Sequence, residues 1–328
     1  MKRRVLALAA LTIPVALAAC GGGNSGGSSG GSSSSGSTSG CPTPTTSGSG
    51  NGASVSIGSK AFAEEELMAS MTQQVLQAHG FNVTYSFMAA DKAIGQALTS
   101  GTIDMYWQYT GTELTDYLNL TAGSFPTDLT GAFNDVQQKD AANGICWYAD
   151  TPFDDTNGIA IQSSQSGTYG TTLAQFGQYL TSNPSALKKV CLMSEFLTRP
   201  DGLPGLVSKY GWPSDASQYT EIQNTAEKDI ANGQCIAGEV FTTDSAIQAN
   251  NLVTLQDTQN LFPPDNAGLL IRQSVAQKYP LIAGLMTPVA QKLTTQTMLQ
   301  LNAMVEVQNM KVSDVAHAWL VQNGFLSS

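Results

Sequence analysis

The sequence is poor in residues that bind transition metals. Only two histidines, His79 and His317, and five cysteines occur among 328 residues, and no two cysteines have C-x-x-C spacing. A zinc site needs about four such ligands close together, so no metal centre is expected. The chain also lacks a phosphate-binding glycine loop and a catalytic triad motif in a strand–helix context. We therefore predict no cofactor, no catalytic residues and no enzymatic activity.

Basic residues are also few. Lys and Arg total 15 against 25 Asp and Glu, which gives a formal net charge of -10. A nucleic-acid-binding surface needs clustered basic side chains that neutralise phosphates. This charge balance therefore argues against DNA or RNA as a partner.

Long apolar runs are absent except at the N-terminus. Basic residues at positions 2–4 precede an apolar stretch, residues 5–19, that is too short for a membrane span. It ends in L-A-A-C-G at residues 17–21, which resembles a bacterial lipobox. The resemblance implies a lipoprotein signal peptide over residues 1–19. It also implies that Cys20 is lipidated and anchors the protein to the membrane outside the cytoplasm.

The segment after Cys20 consists almost entirely of Gly, Ser, Thr, Pro and Asn. A chain of this composition buries too little surface to offset the loss of conformational entropy on folding. The sequence therefore predicts a lipidated, flexible tether over residues 20–52.

Strand-like and helix-like segments alternate after the tether, which predicts mostly parallel sheets with helices on their faces. The strand-like segments are residues 55–57, 82–88 and 103–109. The helix-like segments are residues 62–78, 92–99, 274–279, 281–293, 295–308 and 313–322. Glu64, Glu65 and Glu66 fall in the first turn of the first helix, where the helix dipole favours anions.

The α/β pattern occurs twice. Residues 100–110, S-G-T-I-D-M-Y-W-Q-Y-T, align with residues 232–242, N-G-Q-C-I-A-G-E-V-F-T. The offset is 132 residues, both from Gly101 to Gly233 and from Tyr109 to Phe241. Each copy ends a strand with an aromatic residue followed by Thr. Ligands of open α/β sheets bind beyond the carboxyl ends of the strands, so two such lobes would share a ligand cleft.

We expect the chain to cross between the lobes twice, near residues 146–152 and 252–263. Lobe one then contains both ends of the folded chain, and lobe two is a continuous insertion. The predicted bounds are residues 53–148 and 258–328 for lobe one and 149–257 for lobe two.

Four cysteines remain after Cys20, and three pairings of them are possible. In the repeat, Cys191 and Cys235 begin the first and third strands of lobe two, which are neighbours in this kind of sheet. Side chains on adjacent strands reach disulfide distance when their faces match. We predict a Cys191 to Cys235 disulfide and leave open whether Cys41 and Cys146 pair or stay free.

Short motifs along the chain resemble the glycine betaine/choline/carnitine-binding proteins of osmoprotectant ABC importers. They are I-G-S-K-A-F-A-E at 57–64, G-T-I-D-M-Y at 101–106, Y-T-G-T at 109–112, R-P-D-G at 199–202, F-T-T-D at 241–244 and L-F-P-P at 261–264. The resemblance covers nearly all of residues 55–328. It implies a two-lobed, periplasmic-binding-protein-like α/β fold that closes on its ligand.

The same resemblance implies roles for particular residues. Lys60, Thr112 and Arg199 would hold a ligand carboxylate, because cationic and hydroxyl groups donate charge-assisted hydrogen bonds to it. Tyr109 would form one wall of an aromatic cage, because a trimethylammonium group has no N–H and prefers ring faces. Phe241 would form a second wall, where the family has tyrosine.

Two positions depart from the family pattern. In D-T-N-G, beginning at Asp155, Asn157 stands where the family has a cage tyrosine, and Asp265 stands where it has another. Asp155, Asn157 and Asp265 are also candidate ligand contacts. We expect that Trp107 or Trp147 could supply a missing wall.

The sequence thus predicts a monomeric, extracytoplasmic solute-binding lipoprotein that works with the permease and ATPase of an ABC importer. The expected ligand is glycine betaine or a related quaternary-ammonium osmoprotectant, a small zwitterionic or cationic solute. One alternative ligand is a carboxylate with N–H donors, such as an amino acid, which could satisfy Asn157 and Asp265. A different role, a ligand-sensing module, also stays open.

Overall fold

The computed structural model describes residues 40–88, 91–120 and 124–327. The predicted signal peptide, Cys20 and the first part of the predicted tether lie outside these residues. None of the described helices combines the length and apolar composition needed to cross a bilayer.

Strands in the described residues form two separate five-stranded sheets. In chain order they are β1 (Ser54–Ser59), β2 (Asn82–Phe87), β3 (Met105–Tyr109), β4 (Ile145–Tyr148), β5 (Asn157–Gln162), β6 (Val190–Met193), β7 (Thr220–Ile222), β8 (Ala237–Phe241), β9 (Leu252–Thr254) and β10 (Ala267–Arg272). The first sheet has the order β2-β1-β3-β10-β4 and the second β7-β6-β8-β5-β9.

Helices flank both sheets. They are α1 (Ala63–Ala78), α2 (Asp91–Ser100), α3 (Thr110–Thr112), α4 (Leu129–Ala141), α5 (Ser166–Tyr169), α6 (Leu173–Ser182), α7 (Leu203–Tyr210), α8 (Glu227–Ala231), α9 (Ser245–Ala249), α10 (Gln273–Lys278), α11 (Leu281–Ala290), α12 (Thr295–Glu306) and α13 (Val312–Gln322). A wider π-type turn, Glu113–Tyr117, continues α3.

The two sheets share one topology, which explains the internal repeat. In each sheet one strand, β10 or β5, runs antiparallel to its two neighbours, and the other strands run parallel to one another. β6 stands between β7 and β8 as β1 stands between β2 and β3. The fold is therefore the predicted α/β architecture of two mostly parallel sheets flanked by helices.

The first helix shows why the sequence folds in this way. Leu67, Met68, Met71 and Val75 are almost fully buried and recur at helical spacing, so α1 presents an apolar face to the first sheet. The helix ends before Gly80, whose φ of +83° suits glycine.

Apolar clusters lie against both sheets. In the first sheet, α1, α11 and α13 cover the face that contains Trp107, while α2 and α4 cover the face that contains Trp147. In the second sheet, α6 and α7 pack against Ile159 and Leu192, and α8 packs near Val240. Burial on both faces explains why the inner strands β3 and β10 are almost fully buried, whereas the edge strand β2 is mostly exposed.

The prediction of a flexible tether is wrong for residues 40–52, because this segment packs against the folded part of the chain. Cys41 is bonded to Cys146 of β4, and the Tyr148 hydroxyl donates to the Pro42 carbonyl over 2.8 Å. The Thr45 amide donates to Pro280, and the Gly50 amide to His79. Composition misled here because a disulfide and backbone hydrogen bonds order a segment that has almost no apolar side chains.

The second disulfide joins Cys191 of β6 to Cys235, just before β8, with a Cα–Cα distance of 6.0 Å. β6 and β8 are paired neighbours in the second sheet. Both cysteines are buried in an apolar cluster with Ala160 and Ile230.

Two segments connect the sheets, at residues 149–156 and 255–266. They run side by side, because the Thr151 amide donates to Ala267 and the Asp155 amide donates to Asp265. Both connections begin three residues later than expected, since Cys146 and Leu252 lie inside β4 and β9. The exact bounds of the two lobes stay a prediction.

Candidate ligand-binding cleft

A cavity of about 540 Å³ opens between elements of both sheets. Tyr109 at the end of β3 and Phe241 at the end of β8 face it, so it lies at the carboxyl ends of equivalent strands. Its lining comprises Lys60, Phe62, Glu64, Tyr109, Thr112, Asp116, Asp155, Met193, Gln223, Asn224, Thr225, Phe241, Thr243, Asp244, Asp265, Asn302 and Glu306. We call it the cleft.

A second cavity of about 380 Å³ adjoins the cleft, and the two share Thr112, Asp116, Phe241 and Asp265. Asn157 and Arg199 line this side pocket. Six of the eight predicted contact residues therefore line the cleft, namely Lys60, Tyr109, Thr112, Asp155, Phe241 and Asp265. The other two lie in the side pocket.

Aromatic rings form part of the cleft wall. The Tyr109 ring is buried, and its centroid lies 6.1 Å from that of Phe62 and 6.4 Å from that of Phe153. Phe62 is 39% exposed, so its ring borders the opening. Phe241 contributes a third ring from the second sheet. Trp107 and Trp147 are fully buried core residues whose indole N–H groups donate to Thr72 and Asp140, respectively. The expectation that one of them supplies a missing cage wall is therefore wrong, because neither lines the cleft.

Lys60 is held by groups of its own chain. Its Nζ donates to Gln108 Oε1 over 2.7 Å and lies 3.6 Å from Glu65 Oε1. The same ammonium lies 5.0 Å from the centroid of the Tyr109 ring. This geometry is a cation–π contact, and it shows that the ring accepts a positive charge.

Arg199 forms a bidentate ion pair with Asp201. The Nε to Oδ1 distance is 2.7 Å and the second guanidinium nitrogen lies 2.5 Å from Oδ2. Planar guanidinium and carboxylate groups match in this arrangement. Asp201 is only 4% exposed, whereas the Arg199 side chain is 34% exposed, so the carboxylate is the sheltered half of the pair.

Asp265 accepts hydrogen bonds from the start of α3. Its Oδ1 lies 2.6 Å from the Gly111 amide and 3.2 Å from the Thr112 amide, and the Thr112 hydroxyl lies 3.5 Å from Oδ2. A Cβ at Gly111 would lie 2.9 Å from Oδ1, so glycine permits this approach. Burial and the nearby Asp155 raise the pKa of Asp265, while the two amides lower it.

Both carboxylate oxygens of Glu64 accept hydrogen bonds. The Tyr109 hydroxyl donates to Oε1 over 2.6 Å, and Asn302 Nδ2 donates to Oε2 over 2.9 Å. Burial raises the pKa of Glu64 to about 7, although these hydrogen bonds oppose the rise. Asn302 also donates to the Thr243 carbonyl, which links α12 to the end of the second sheet.

Two more carboxyl groups titrate abnormally. The Thr243 hydroxyl donates to Asp155 over 2.5 Å, and burial together with Glu64 raises the pKa of Asp155 well above its usual value. Burial and a carboxyl–carboxyl contact with Glu227 raise the pKa of Asp244 to about 9. Carboxylates thus dominate the cleft, with six acidic side chains against the single ammonium of Lys60.

Sequence reasoning missed Glu64, Asn302 and Asp244 as cleft residues. The helix dipole accounts for Glu64 in the first turn of α1 without a ligand. In the structure, however, the side chains of Glu64 and Glu65 are both nearly fully buried. A signal was available, because F-T-T-D at residues 241–244 already marked Asp244. Asn302 has no local signal, since only tertiary packing brings α12 to the cleft. The two histidines lie elsewhere, with His79 contacting Val75 and His317 contacting Gln74.

A family model described as the substrate binding domain of an ABC-type glycine betaine transport system matches residues 53–322. The chain is 28% identical over 292 residues to a glycine-betaine-binding protein of Pseudomonas aeruginosa, covering 87% of this chain and 93% of that one. It is 29% identical over 280 residues to the glycine betaine-binding protein YehZ of Escherichia coli, covering 83% and 91%.

Solved structures have the same architecture. Apo YehZ from Escherichia coli superposes with a TM-score of 0.68 at 28% identity and covers 84% of this chain and 99% of its own. A structure of a glycine betaine/carnitine/choline ABC transporter gives a TM-score of 0.72 at 18% identity, covering 83% and 99%, a likeness of fold.

Proposed function

This chain belongs to the family of substrate-binding domains of ABC-type glycine betaine transport systems, and from this membership we propose that it captures a quaternary-ammonium solute outside the cytoplasm. The bound solute is delivered to the permease and ATPase of an ABC importer. The names of its relatives support this proposal, since two of them are glycine betaine-binding proteins.

The observation that carries the proposal is the combination of rings and carboxylates in one cleft. Tyr109, Phe62 and Phe241 offer aromatic surface, and Glu64, Asp155 and Asp265 offer carboxyl groups whose charged forms a bound cation would stabilise. A quaternary ammonium group has no N–H to donate, so ring faces and through-space attraction by carboxylates are its natural partners. The cavity volume lies within the range of about 300–1,000 Å³ that is usual for small-molecule sites.

A second ligand class is favoured by one observation in the side pocket. Asn157 is 7% exposed, and its Oδ1 has no hydrogen-bond partner among the described residues. A buried acceptor without a partner costs free energy. A ligand with N–H donors, such as an amino acid, would remove that cost, so this class remains the alternative to a quaternary ammonium.

We also propose that the chain binds its solute without chemical change. The family role is transport, and the titratable groups of the cleft are engaged in holding its walls. We expect NMR spectra of glycine betaine or choline to be unchanged after incubation with the protein. Appearance of a product would contradict this part of the proposal.

Attachment to the membrane through a lipid on Cys20, and a monomeric state, are further parts of the proposal. The lipobox-like sequence at residues 17–21 supports the anchor. Mass spectrometry of the protein from its host membrane tests it, because lipidation would add a diacylglyceryl mass at Cys20. Sedimentation analysis of the unlipidated protein tests the monomer.

The central experiment is a thermal-shift screen with glycine betaine, choline, carnitine and amino acids. A ligand that binds only the folded state raises the melting temperature by mass action. We expect a quaternary ammonium compound to raise it most, and an amino acid to do so if the alternative is right.

A variant of one ring tests where the solute binds. Tyr109→Leu removes the ring, and we expect it to weaken quaternary-ammonium binding by about tenfold or more, since a desolvated cation–π contact contributes about 2 kcal/mol. Leu197→Ala is the control, because this residue packs in the second apolar cluster and does not line the cleft. Equal affinity of Tyr109→Leu and the unmodified protein would place the solute elsewhere.

A further inference from the structure

The basic side chains that line the two cavities already have acceptors within the chain. Among the described lining residues, the basic side chains are Lys60 and Arg199. Arg199 pairs with Asp201 through two hydrogen bonds, and Lys60 donates to Gln108 and lies near Glu65. A ligand carboxylate entering the cleft would have to share these cations with their in-chain partners.

The backbone donors beside the cleft are occupied in the same way. The Gly111 and Thr112 amides both point at Asp265 Oδ1. The Asp265 backbone is itself fixed, because its amide donates to Asp154 Oδ1 over 2.8 Å and its carbonyl accepts from the Asp155 amide. The carboxyl group is therefore held at the start of α3 from two sides.

The charge around this position disfavours a second carboxylate. Asp155 and Asp116 line the same cleft as Asp265, and Glu64 lies across it beside Tyr109. Like charges at short range repel, and more strongly where water is excluded. A cation in the same space would instead stabilise the charged forms of these carboxyl groups.

We propose that Asp265 supplies, from within the chain, the carboxylate that a zwitterionic ligand would otherwise place against the Gly111 and Thr112 amides. The site therefore selects a quaternary ammonium compound that lacks a carboxylate. This inference rests on the proposed function, because it names the ligand class of the same cleft. It makes Asp265 a specificity-determining residue.

Choline and glycine betaine form the matched pair of probes for this inference. Both have the trimethylammonium group, and they differ in a hydroxymethyl against a carboxylate. Isothermal titration calorimetry of the unmodified protein should give at least tenfold tighter binding of choline. Equal or tighter binding of glycine betaine would overturn the inference and leave the proposed function standing. Binding of neither compound would overturn both.

A variant assigns the selectivity to Asp265. Asp265→Asn keeps an oxygen that can accept from the two amides but removes the negative charge. We expect the choline to betaine affinity ratio to fall by tenfold or more in this variant. Asp314→Asn is the control, since this exposed carboxylate lies in the first turn of α13 and lines neither cavity. Its ratio should change by less than threefold.

An equal fall of the ratio in both variants would show that overall charge, and not Asp265, sets the selectivity, and would overturn the assignment. Melting temperatures of both variants establish that they fold. If Asp265→Asn does not fold, the comparison of the two probes on the unmodified protein still decides the inference.

Discussion

At the scale of single residues, the cleft is defined by carboxyl groups that share hydrogen bonds and lack full access to water. Burial raises the pKa values of Glu64, Asp155 and Asp265, since a desolvated carboxylate is less favourable than the neutral acid. A bound cation would stabilise the charged forms. Ligand binding and proton release are therefore coupled in this site, and affinity for a cation should rise as the pH rises.

Glu64 gives a pH-dependent contribution to stability that can be isolated. Its pKa is about 7 in the folded protein against 4.5 ordinarily, so the folded state binds the proton more tightly. This contribution is fully present below pH 4.5 and is lost as the pH rises to about 7. Relative to Glu64→Gln, we expect the unmodified protein to lose on the order of 3 kcal/mol of unfolding free energy across that window.

Urea unfolding of both proteins between pH 4.5 and 8, without ligand, measures this difference. Tyr109, Asn302, Thr243 and Glu65 surround the Glu64 carboxyl and are unchanged in the variant. Glu66→Gln, in the same turn of α1 but less buried, is the control and should show a smaller trend. A difference between Glu64→Gln and the unmodified protein that stays constant with pH would contradict the expectation.

At the scale of elements, the ends of β3 and β8 and the helix α12 define the cleft. Asn302 of α12 donates to Thr243, and the Ser245 hydroxyl of α9 donates to Glu306 of α12 over 2.7 Å. An element that follows β10 in the chain therefore contacts the end of the second sheet. Within the second sheet, a disulfide joins β6 to the segment just before the neighbouring strand β8.

Removal of that disulfide tests its contribution. We expect the double variant Cys191→Ala/Cys235→Ala to lose about 2–4 kcal/mol of unfolding free energy, because the bond restricts the unfolded chain. Denaturant unfolding of the double variant and the unmodified protein measures the loss. Peptide mapping without reduction checks the pairing, and a peptide linking Cys191 to Cys41 or Cys146 would refute it.

At the scale of the whole molecule, two neighbouring connections join the sheets and the cleft lies between the sheets. We expect the paired segments at residues 149–156 and 255–266 to act as a hinge, because two neighbouring connections allow the sheets to rotate as rigid bodies. The cleft takes lining residues from the elements of both sheets, so a solute that contacts both sides favours a closed state.

Small-angle X-ray scattering measures this closure. We expect the radius of gyration to fall when saturating choline or glycine betaine is added, whichever calorimetry shows to bind. Tyr109→Leu at the same solute concentration is the control and should show a smaller change. Identical scattering curves with and without bound solute would rule out hinge closure.

The sequence by itself determined the architecture and the position of the cleft. Alternating strand and helix patterns predicted the sheets, and the repeat placed Tyr109 and Phe241 at equivalent strand ends. These features are local, because hydrophobic period and strand-end motifs depend on residues close together in the chain.

Only the tertiary structure decided how the polar groups of the cleft are paired. Asp265 reaches the Gly111 amide across a separation of 154 residues, and Asn302 reaches Glu64 across 238. The ordering of residues 40–52 likewise depends on Cys146, which lies 105 residues after Cys41. Such partners leave no local pattern in the chain, because packing of distant elements alone brings them within hydrogen-bonding or bonding distance.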